Sequence, residues 1–263
     1  MRNKASSKTA TLLSVTPLSA RSLVLSLMLG TRPARFTASS LIAVCQLFDF
    51  NEGTIRTALS RMVASNELNR DGSYYVLGDR LLERQKMQDA GRHLPNTDWD
   101  GRWYTAIAAA DQRSVNERRS FRAVMLANRF GEWRADIWLR PATSPFTPPA
   151  GVLLSCGPIS GMSDTDLVSR LWDLDELEAE ATRIADALPP QLAQLAERGG
   201  EALPDAMAVA VEAVRFLTTE PQLPPSLTQE HHEARRLRTS YDAFEVKFQQ
   251  TVASVASQAR TAQ

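Results

Sequence analysis

Residues 51–63, Asn-Glu-Gly-Thr-Ile-Arg-Thr-Ala-Leu-Ser-Arg-Met-Val, constrain this chain more than any other stretch. Asn51 suits an N-cap, because its side-chain oxygen can accept a free amide proton of the first turn. Ile55, Ala58, Leu59, Met62 and Val63 recur at helical spacing and form one apolar face. The other face carries Thr54, Arg56, Thr57, Ser60 and Arg61, and is expected to present donors and small hydroxyls with no carboxylate. Such a surface suits the major groove of DNA, where arginine bonds guanine edges in a bidentate way and Ser or Thr reaches bases or phosphates. The plainer alternative is an ordinary amphipathic surface helix.

The flanking segments favour the first reading. Ser19 opens a helix over Ala20–Leu29 that is apolar on nearly every side and is ended by Gly30, so it should be buried. Thr37 can cap a second helix reaching about Phe48, with Leu41, Val44, Cys45 and Phe48 on one face. A short turn, Asp49-Phe50-Asn51, joins it to the helix above, which is a helix-turn-helix arrangement. Asp71-Gly72 between Glu67–Arg70 and Ser73–Leu77 signals a type I′ hairpin. That hairpin is expected to be a wing, with Arg70 and Tyr74 placed to touch the DNA backbone; a hairpin merely packed on the third helix is the alternative. Gly78–Arg92 follows as a linker helix.

Charge is segregated although the chain is neutral overall. Residues 1–99 carry 13 Lys and Arg against 8 Asp and Glu, residues 100–163 carry 8 against 5, and residues 164–263 carry 9 against 17. A basic front and an acidic back suggest different partners for the two ends. The two cysteines, Cys45 and Cys156, lie in separate apolar runs without metal-ligand spacing, and two free buried thiols are expected. With no secretory signal or uncharged run of membrane-spanning length, a cytoplasmic protein without membrane contact is expected. Residues 1–18 are expected to be a flexible basic tail in which Lys4 and Lys8 could meet phosphate.

Beyond the linker, Trp99–Trp103 opens a second unit. Tyr104–Ala110 and Trp133–Leu139 are β-like runs, and Val152–Cys156 is a third strand candidate after the Pro-rich loop Thr143–Pro149. Ser114 and Glu117 form a capping box for a helix that buries Phe121, Val124 and Met125. Strand, helix and further strands suggest a small ferredoxin-like sandwich with Trp103 and Trp138 in its core. The remainder reads as helices: Asp164–Trp172, Asp175–Leu188 stopped by Pro189-Pro190, Ala202–Leu217, and about Glu230 to Ala256. Leu223-Pro224-Pro225 is expected to be a rigid extended spacer. The fold class is therefore α+β. Its expected parts are a winged helix-turn-helix (19–78), a linker helix (79–98), a ferredoxin-like middle domain (99–163) and a helical C-terminal domain (164–263).

Several stretches together resemble one family, the PaaX-type transcriptional repressors of phenylacetate degradation. They are Ala20-Arg21-Ser22-Leu23, Ile55–Val63, Ser73-Tyr74-Tyr75, Trp99-Asp100-Gly101-Arg102-Trp103, Ile137-Trp138-Leu139-Arg140-Pro141, Trp172-Asp173-Leu174 and Glu220–Pro225. The resemblance runs from about residue 20 to about residue 248. It implies a winged helix, a middle domain similar to Cas2 nucleases and a helical C-terminal domain for dimerisation and effector binding. It also implies a homodimer that represses a catabolic operon and leaves its operator on binding an acyl-CoA, phenylacetyl-CoA in the founding cases. Asn51-Glu52-Gly53, which opens the helix with a glycine, and the loop Thr143–Pro149 depart from the family pattern.

On this reading Arg21, Arg32, Arg35 and Arg70 contact phosphates of double-stranded operator DNA, and Arg56 contacts a base, with Thr54, Thr57, Ser60 and Arg61 around it. Arg215, Arg235, Arg236 and Arg238 are the cations available for an anionic small-molecule effector, the alternative being that they pair with nearby Asp and Glu. No cofactor, metal or catalytic residue is expected. The competing class is an enzyme, a metal-dependent nuclease on the Cas2-like middle with Asp100, Asp111 and Asp136 as carboxylate ligands. His93 is isolated, and adjacent His231 and His232 point about 100° apart on a helix, so surface roles are expected for them.

Overall fold

Ser19 accepts a hydrogen bond from the Ser22 amide and starts helix α1, Ala20–Gly30. Leu23, Val24, Leu27 and Met28 of that helix are fully buried, as its all-round apolarity requires. The computed structural model describes residues 19–92, 99–108, 114–228 and 232–261. The proposed basic tail, His93, Asp111 and His231 lie outside the described residues. The fold is α+β and helix-rich, with two small antiparallel sheets. The chain divides into two compact units that are not consecutive in sequence.

The first unit comprises residues up to 86 together with 187–212 and 242–263. Strand β1, Arg35–Thr37, leads into α2, Ala38–Gln46, capped by Thr37. Asp49 takes φ 62° in the turn that follows. Helix α3, Glu52–Ala64, is capped by Asn51, whose side chain accepts from the Thr54 amide at 2.8 Å. Its buried residues are Ile55, Ala58, Leu59 and Met62, and α3 packs against both α1 and α2. Strands β2, Leu68–Asp71, and β3, Tyr74–Leu77, complete a sheet of order β1-β3-β2. The strand β1 has no sequence signal of its own and exists by pairing with β3.

The hairpin differs from the expected type I′ turn. Asp71 pairs with Tyr74, so the connecting residues are Gly72 and Ser73, and among Asp71, Gly72 and Ser73 positive φ occurs at Gly72 alone, φ 59°. A first central glycine with positive φ is the other short solution compatible with strand twist. Gly78 closes the hairpin by donating to the Glu67 carbonyl at 2.9 Å, and a Cβ there would stand 2.3 Å from the Asn66 carbonyl oxygen. Helix α4, Asp79–Arg92, then returns to α1: the Gln85 amide donates to the Leu29 carbonyl at 2.9 Å. The C-terminal helical segments are tied to the same body. Ser40 donates to the Ala256 carbonyl at 2.9 Å, and Gln249 to the Gly30 carbonyl at 2.9 Å.

The second unit comprises residues 87–186 and 213–241. Its sheet is built from β4, Trp103–Ala108; β5, Gly131–Arg134; β6, Ile137–Pro141; and β7, Val152–Gly157, in the order β5-β6-β4-β7, all antiparallel. The run expected as one strand, Trp133–Leu139, is broken at Ala135-Asp136, where Asp136 takes φ 68°. Aspartate tolerates that left-handed conformation better than most residues, so one apparent strand becomes a hairpin. Helix α5, Val115–Ala127, carries the expected capping box of Ser114 and Glu117.

The sheet is covered on both faces. On one face Ala106, Met125, Phe130 and Trp138 form a core with Phe121 and Leu154 beside them. Phe146, from the Pro-rich loop between β6 and β7, reaches into this core, with its ring 4.8 Å from that of Phe130. On the other face Trp103 and Leu139 pack against Leu167 and Val168 of α6, Asp164–Leu171, and against Leu223 and Leu227. Leu223 and Leu227 are thus part of the core while Pro225 is exposed, and a 3-10 turn at Pro225–Leu227 follows Pro224 where the expected extended spacer would continue.

Three long helices contribute residues to both units: α7, Leu174–Arg198; α8, Leu203–Thr219; and α9, Glu233–Thr261. The expected stop at Pro189-Pro190 does not occur, and α7 continues through both prolines. Proline φ is itself helical, and what the ring removes is a hydrogen bond to the carbonyl four residues back. Ile184, Ala185, Leu188 and Leu195 are each buried, and that burial offsets the lost bonds. Among the described residues no helix is long and apolar enough to cross a membrane.

Candidate nucleic-acid interface

Residues Thr54, Arg56, Thr57, Ser60 and Arg61 are all exposed on α3, while its apolar side is packed within the unit. The face is less free than composition implies. Thr54 donates its hydroxyl proton to Asn51 Oδ1 at 2.9 Å, and Thr57 donates to the Gly53 carbonyl at 2.9 Å. Both hydroxyls are engaged by the backbone or the cap, as Thr hydroxyls in helices often are. The expectation of a face without carboxylates is also corrected. Glu52, the first residue of α3, accepts a hydrogen bond from Arg56 Nε at 2.7 Å, with both side chains more than half exposed. The i,i+4 spacing that brings them together was present in the sequence.

Beside α3 a groove is lined by Ser19, Arg21, Asn51, Thr54, Thr57 and Arg61. The first turns of both α1 and α3 lie at this groove, and unpaired amides of a first turn favour anions. Arg21 forms a two-point pair with Glu67, including Nε to Oε2 at 2.9 Å. That hydrogen bond holds the Glu67 carboxyl below its ordinary value. Arg32 is turned onto the end of α1, donating to the Leu29 carbonyl at 2.8 Å, a C-terminal capping role.

The hairpin carries two arginine–tyrosine stacks. Arg35 lies over the Tyr74 ring at 4.1 Å and pairs with Asp71. Arg70 lies over the Tyr75 ring at 4.5 Å, directly across the β2–β3 pair. Successive strand residues point to opposite faces, so Arg70 and Tyr74, expected to act together, stand on opposite sides of the sheet. Arg35 is the arginine that stands beside Tyr74.

In the second unit the four cations proposed for an effector divide into two kinds. Arg236 pairs with Asp186, at 2.8 Å, and with Glu233, and these carboxylates raise its pKa. Arg238 is buried and pairs with buried Glu220. Arg215 and Arg235 are exposed. A cavity of about 60 Å³ is lined by Leu174, Leu177, Phe216, Leu223, Arg235 and Arg238. It has room for a few water-sized groups and is far smaller than an ordinary ligand pocket, ~300 Å³ or more.

Sequence reasoning missed the buried charges of the second unit. Arg129 Nη1 stands 3.8 Å from Glu220 Oε1, so two arginines share one carboxylate. Burial lowers the Arg129 pKa to about 10. Arg140, also lowered to about 10 by burial, donates to the Ser144 carbonyl at 2.8 Å beneath the rings of Tyr104, Phe130 and Phe146. Glu220 and Arg140 stand in two of the quoted family stretches, which was the available signal.

The carboxylates considered for a nuclease are not assembled among the described residues. Asp100 accepts from Arg102 Nε at 2.6 Å, and its carboxyl lies below the usual range through the Arg102 backbone amide first. Asp136 occupies the β5–β6 turn. His232 is exposed, and with Glu178 and Glu233 it forms a cluster whose ligand atoms lie within 4.8 Å of one another. Glu178 already serves there as a cap, accepting from the His232 amide at 3.0 Å and the Glu233 amide at 3.2 Å. Cys45 is buried as expected, whereas Cys156 is exposed on β7. It occupies an edge strand, paired with β4 alone in the sheet order.

Comparison with known proteins bears on this arrangement. A family model described as PaaX-like protein matches residues 19–81, the segment holding α1–α3 and the three-stranded sheet. That match supports a PaaX-type family, a family of transcription regulators, for this chain. Among solved structures it is similar to an uncharacterized protein, Rv0674 from Mycobacterium tuberculosis, with 32% sequence identity and a TM-score of 0.70. That match covers 90% of this chain and 99% of the other. No curated protein matches the chain.

Proposed function

We propose that this protein is a transcriptional repressor that binds operator DNA as a homodimer through a winged helix-turn-helix and is released by a small-molecule effector. The observation that carries the reading is α3. Its apolar side is consumed by packing, and its outward side offers Arg56, Ser60 and Arg61 beside a groove bordered by the first turns of two helices. A helix docked through its N-terminal residues, with phosphates held at helix ends and by flanking arginines, is how helix-turn-helix proteins meet the major groove. The paired arginines of β1 and β2 would flank the adjacent backbone, with Arg21 and Arg35 exchanging carboxylates for phosphates.

The strand order β5-β6-β4-β7, with α5 between β4 and β5, supports a ferredoxin-like reading of the second unit. The Phe146 loop takes the place of that fold's second helix. For the effector, Arg235 and Arg215 are the cations that would meet an anionic group such as the phosphates of an acyl-CoA, because Arg236 and Arg238 are committed to carboxylates. The cavity beside Arg235 must widen to take an acyl group. Release then follows if the widened state misplaces the DNA-binding unit, since a ligand shifts an equilibrium only by its differential affinity for the two states.

The test is an anisotropy titration of the full chain against the duplex upstream of its own gene and against a shuffled duplex, over a salt series. The reading predicts tighter binding to the first and a steep fall in affinity with salt, about one power of salt per phosphate contacted. Equal, salt-insensitive affinities would refute it.

A further inference from the structure

Glu52 is the one acidic residue in α3, and it lies where a DNA-facing helix is expected to carry none. A carboxylate there repels phosphates, so its presence calls for a role that its charge alone would oppose. Its partner is informative. Arg56 donates Nε to Glu52 Oε1 at 2.7 Å, which leaves Nη1 and Nη2 as an end-on fork. That fork is the geometry that bonds guanine O6 and N7 together. The hydroxyls of Thr54 and Thr57 are turned to Asn51 and Gly53. Much of the base discrimination available to the first two turns of α3 therefore falls to the Glu52–Arg56 pair.

We propose that Glu52 is a specificity-determining residue, selecting a cytosine next to the guanine bonded by Arg56. The inference rests on α3 being the recognition helix. A carboxylate is an acceptor alone. Guanine shows it O6 and N7 and thymine shows it O4, so both set acceptor against acceptor. Adenine offers the N6 donor but with the N7 acceptor beside it. Cytosine presents the N4 donor without a competing acceptor in the major groove. With one oxygen on Arg56 Nε, the other is available to the cytosine amine. The neutral pair also removes the phosphate repulsion that an isolated glutamate would suffer.

The experiment selects binding sites from a randomised duplex with the full chain and with Glu52→Ala and Glu52→Gln, their folding checked by circular dichroism. The wild type is expected to select guanine with an adjacent cytosine. Glu52→Ala should keep the guanine and lose the preference for cytosine by about tenfold or more. Its affinity for random DNA should be equal or higher, because one negative charge is gone. Glu52→Gln should move the preference toward adenine, whose N6 and N7 match a side-chain amide. Identical base preferences in all three proteins, with affinity shifted uniformly, would overturn the proposal and reduce Glu52 to a charge and helix-end effect. A wild type that selects no sequence would overturn the reading of α3 itself, a different result from identical preferences.

Discussion

Replacing Glu220 by glutamine should destabilise the second unit by about 3 kcal/mol, at the lower end of the ~3–5 kcal/mol range for removing one partner of a buried ion pair. The structure sets this magnitude. The Glu220 side chain is 7% exposed, and those of Arg238 and Arg129 are 8% and 13% exposed. Its carboxylate is shared by both guanidiniums and also accepts the Gln222 amide at 3.0 Å. Glutamine keeps the shape and one acceptor oxygen but removes the charge, leaving two buried cations opposite a neutral amide. All five tryptophans, Trp99, Trp103, Trp133, Trp138 and Trp172, fall in the second unit. Tryptophan fluorescence in a denaturant titration therefore reports on that unit alone. The half-exposed pair of Arg236 is the control, and Arg236→Ala should cost less than about 1 kcal/mol. A Glu220→Gln midpoint corresponding to less than about 1 kcal/mol would refute the account of the cluster.

Other outcomes follow from the same contacts. Gly78→Ala should destabilise the first unit by about 3 kcal/mol, since a Cβ there meets the Asn66 carbonyl oxygen at 2.3 Å; hydrogen exchange of α1–α3 amides measures it, and unchanged protection would contradict it. Glu67 has a folded pKa held below its ordinary 4.5 by the Arg21 hydrogen bond. Its stabilisation should be complete above that pH and lost as pH falls through the lower folded value, so Glu67→Gln should flatten the acid limb of a far-UV circular dichroism stability curve. A disulfide reagent should titrate one thiol in the native protein and two after unfolding, because Cys156 is exposed while burial pushes the Cys45 pKa up to about 12.

What the sequence disclosed was mostly local. The caps Ser19, Thr37 and Asn51 and the Ser114–Glu117 box stand where their spacing puts them, because each depends on residues within one turn. The apolar face of α3 followed from periodicity for the same reason. Features settled by distant partners were lost. β1 is three residues held by β3, and α7 continues past Pro189-Pro190 among buried side chains that pattern alone could not place. The sharing of α7, α8 and α9 between two units leaves no local trace. At the candidate interface the side-chain pairings were not anticipated: Arg35 stacks on Tyr74, and Glu52 engages Arg56. The first follows from which face of a strand each side chain occupies, and the second from an i,i+4 relation that was available and unused.

On the proposed reading, the outward face of α3 meets bases in the major groove. Methylation of guanine N7 tests it directly, because N7 opens into that groove. With wild-type protein bound, guanines in two half-sites related by a dyad should be protected, and Arg56→Ala should lose that protection, with affinity reduced by about 1–3 kcal/mol, while backbone cleavage protection persists at saturating protein. Guanine N7 left fully reactive in the wild-type complex, or protected equally with Arg56→Ala, would contradict the account.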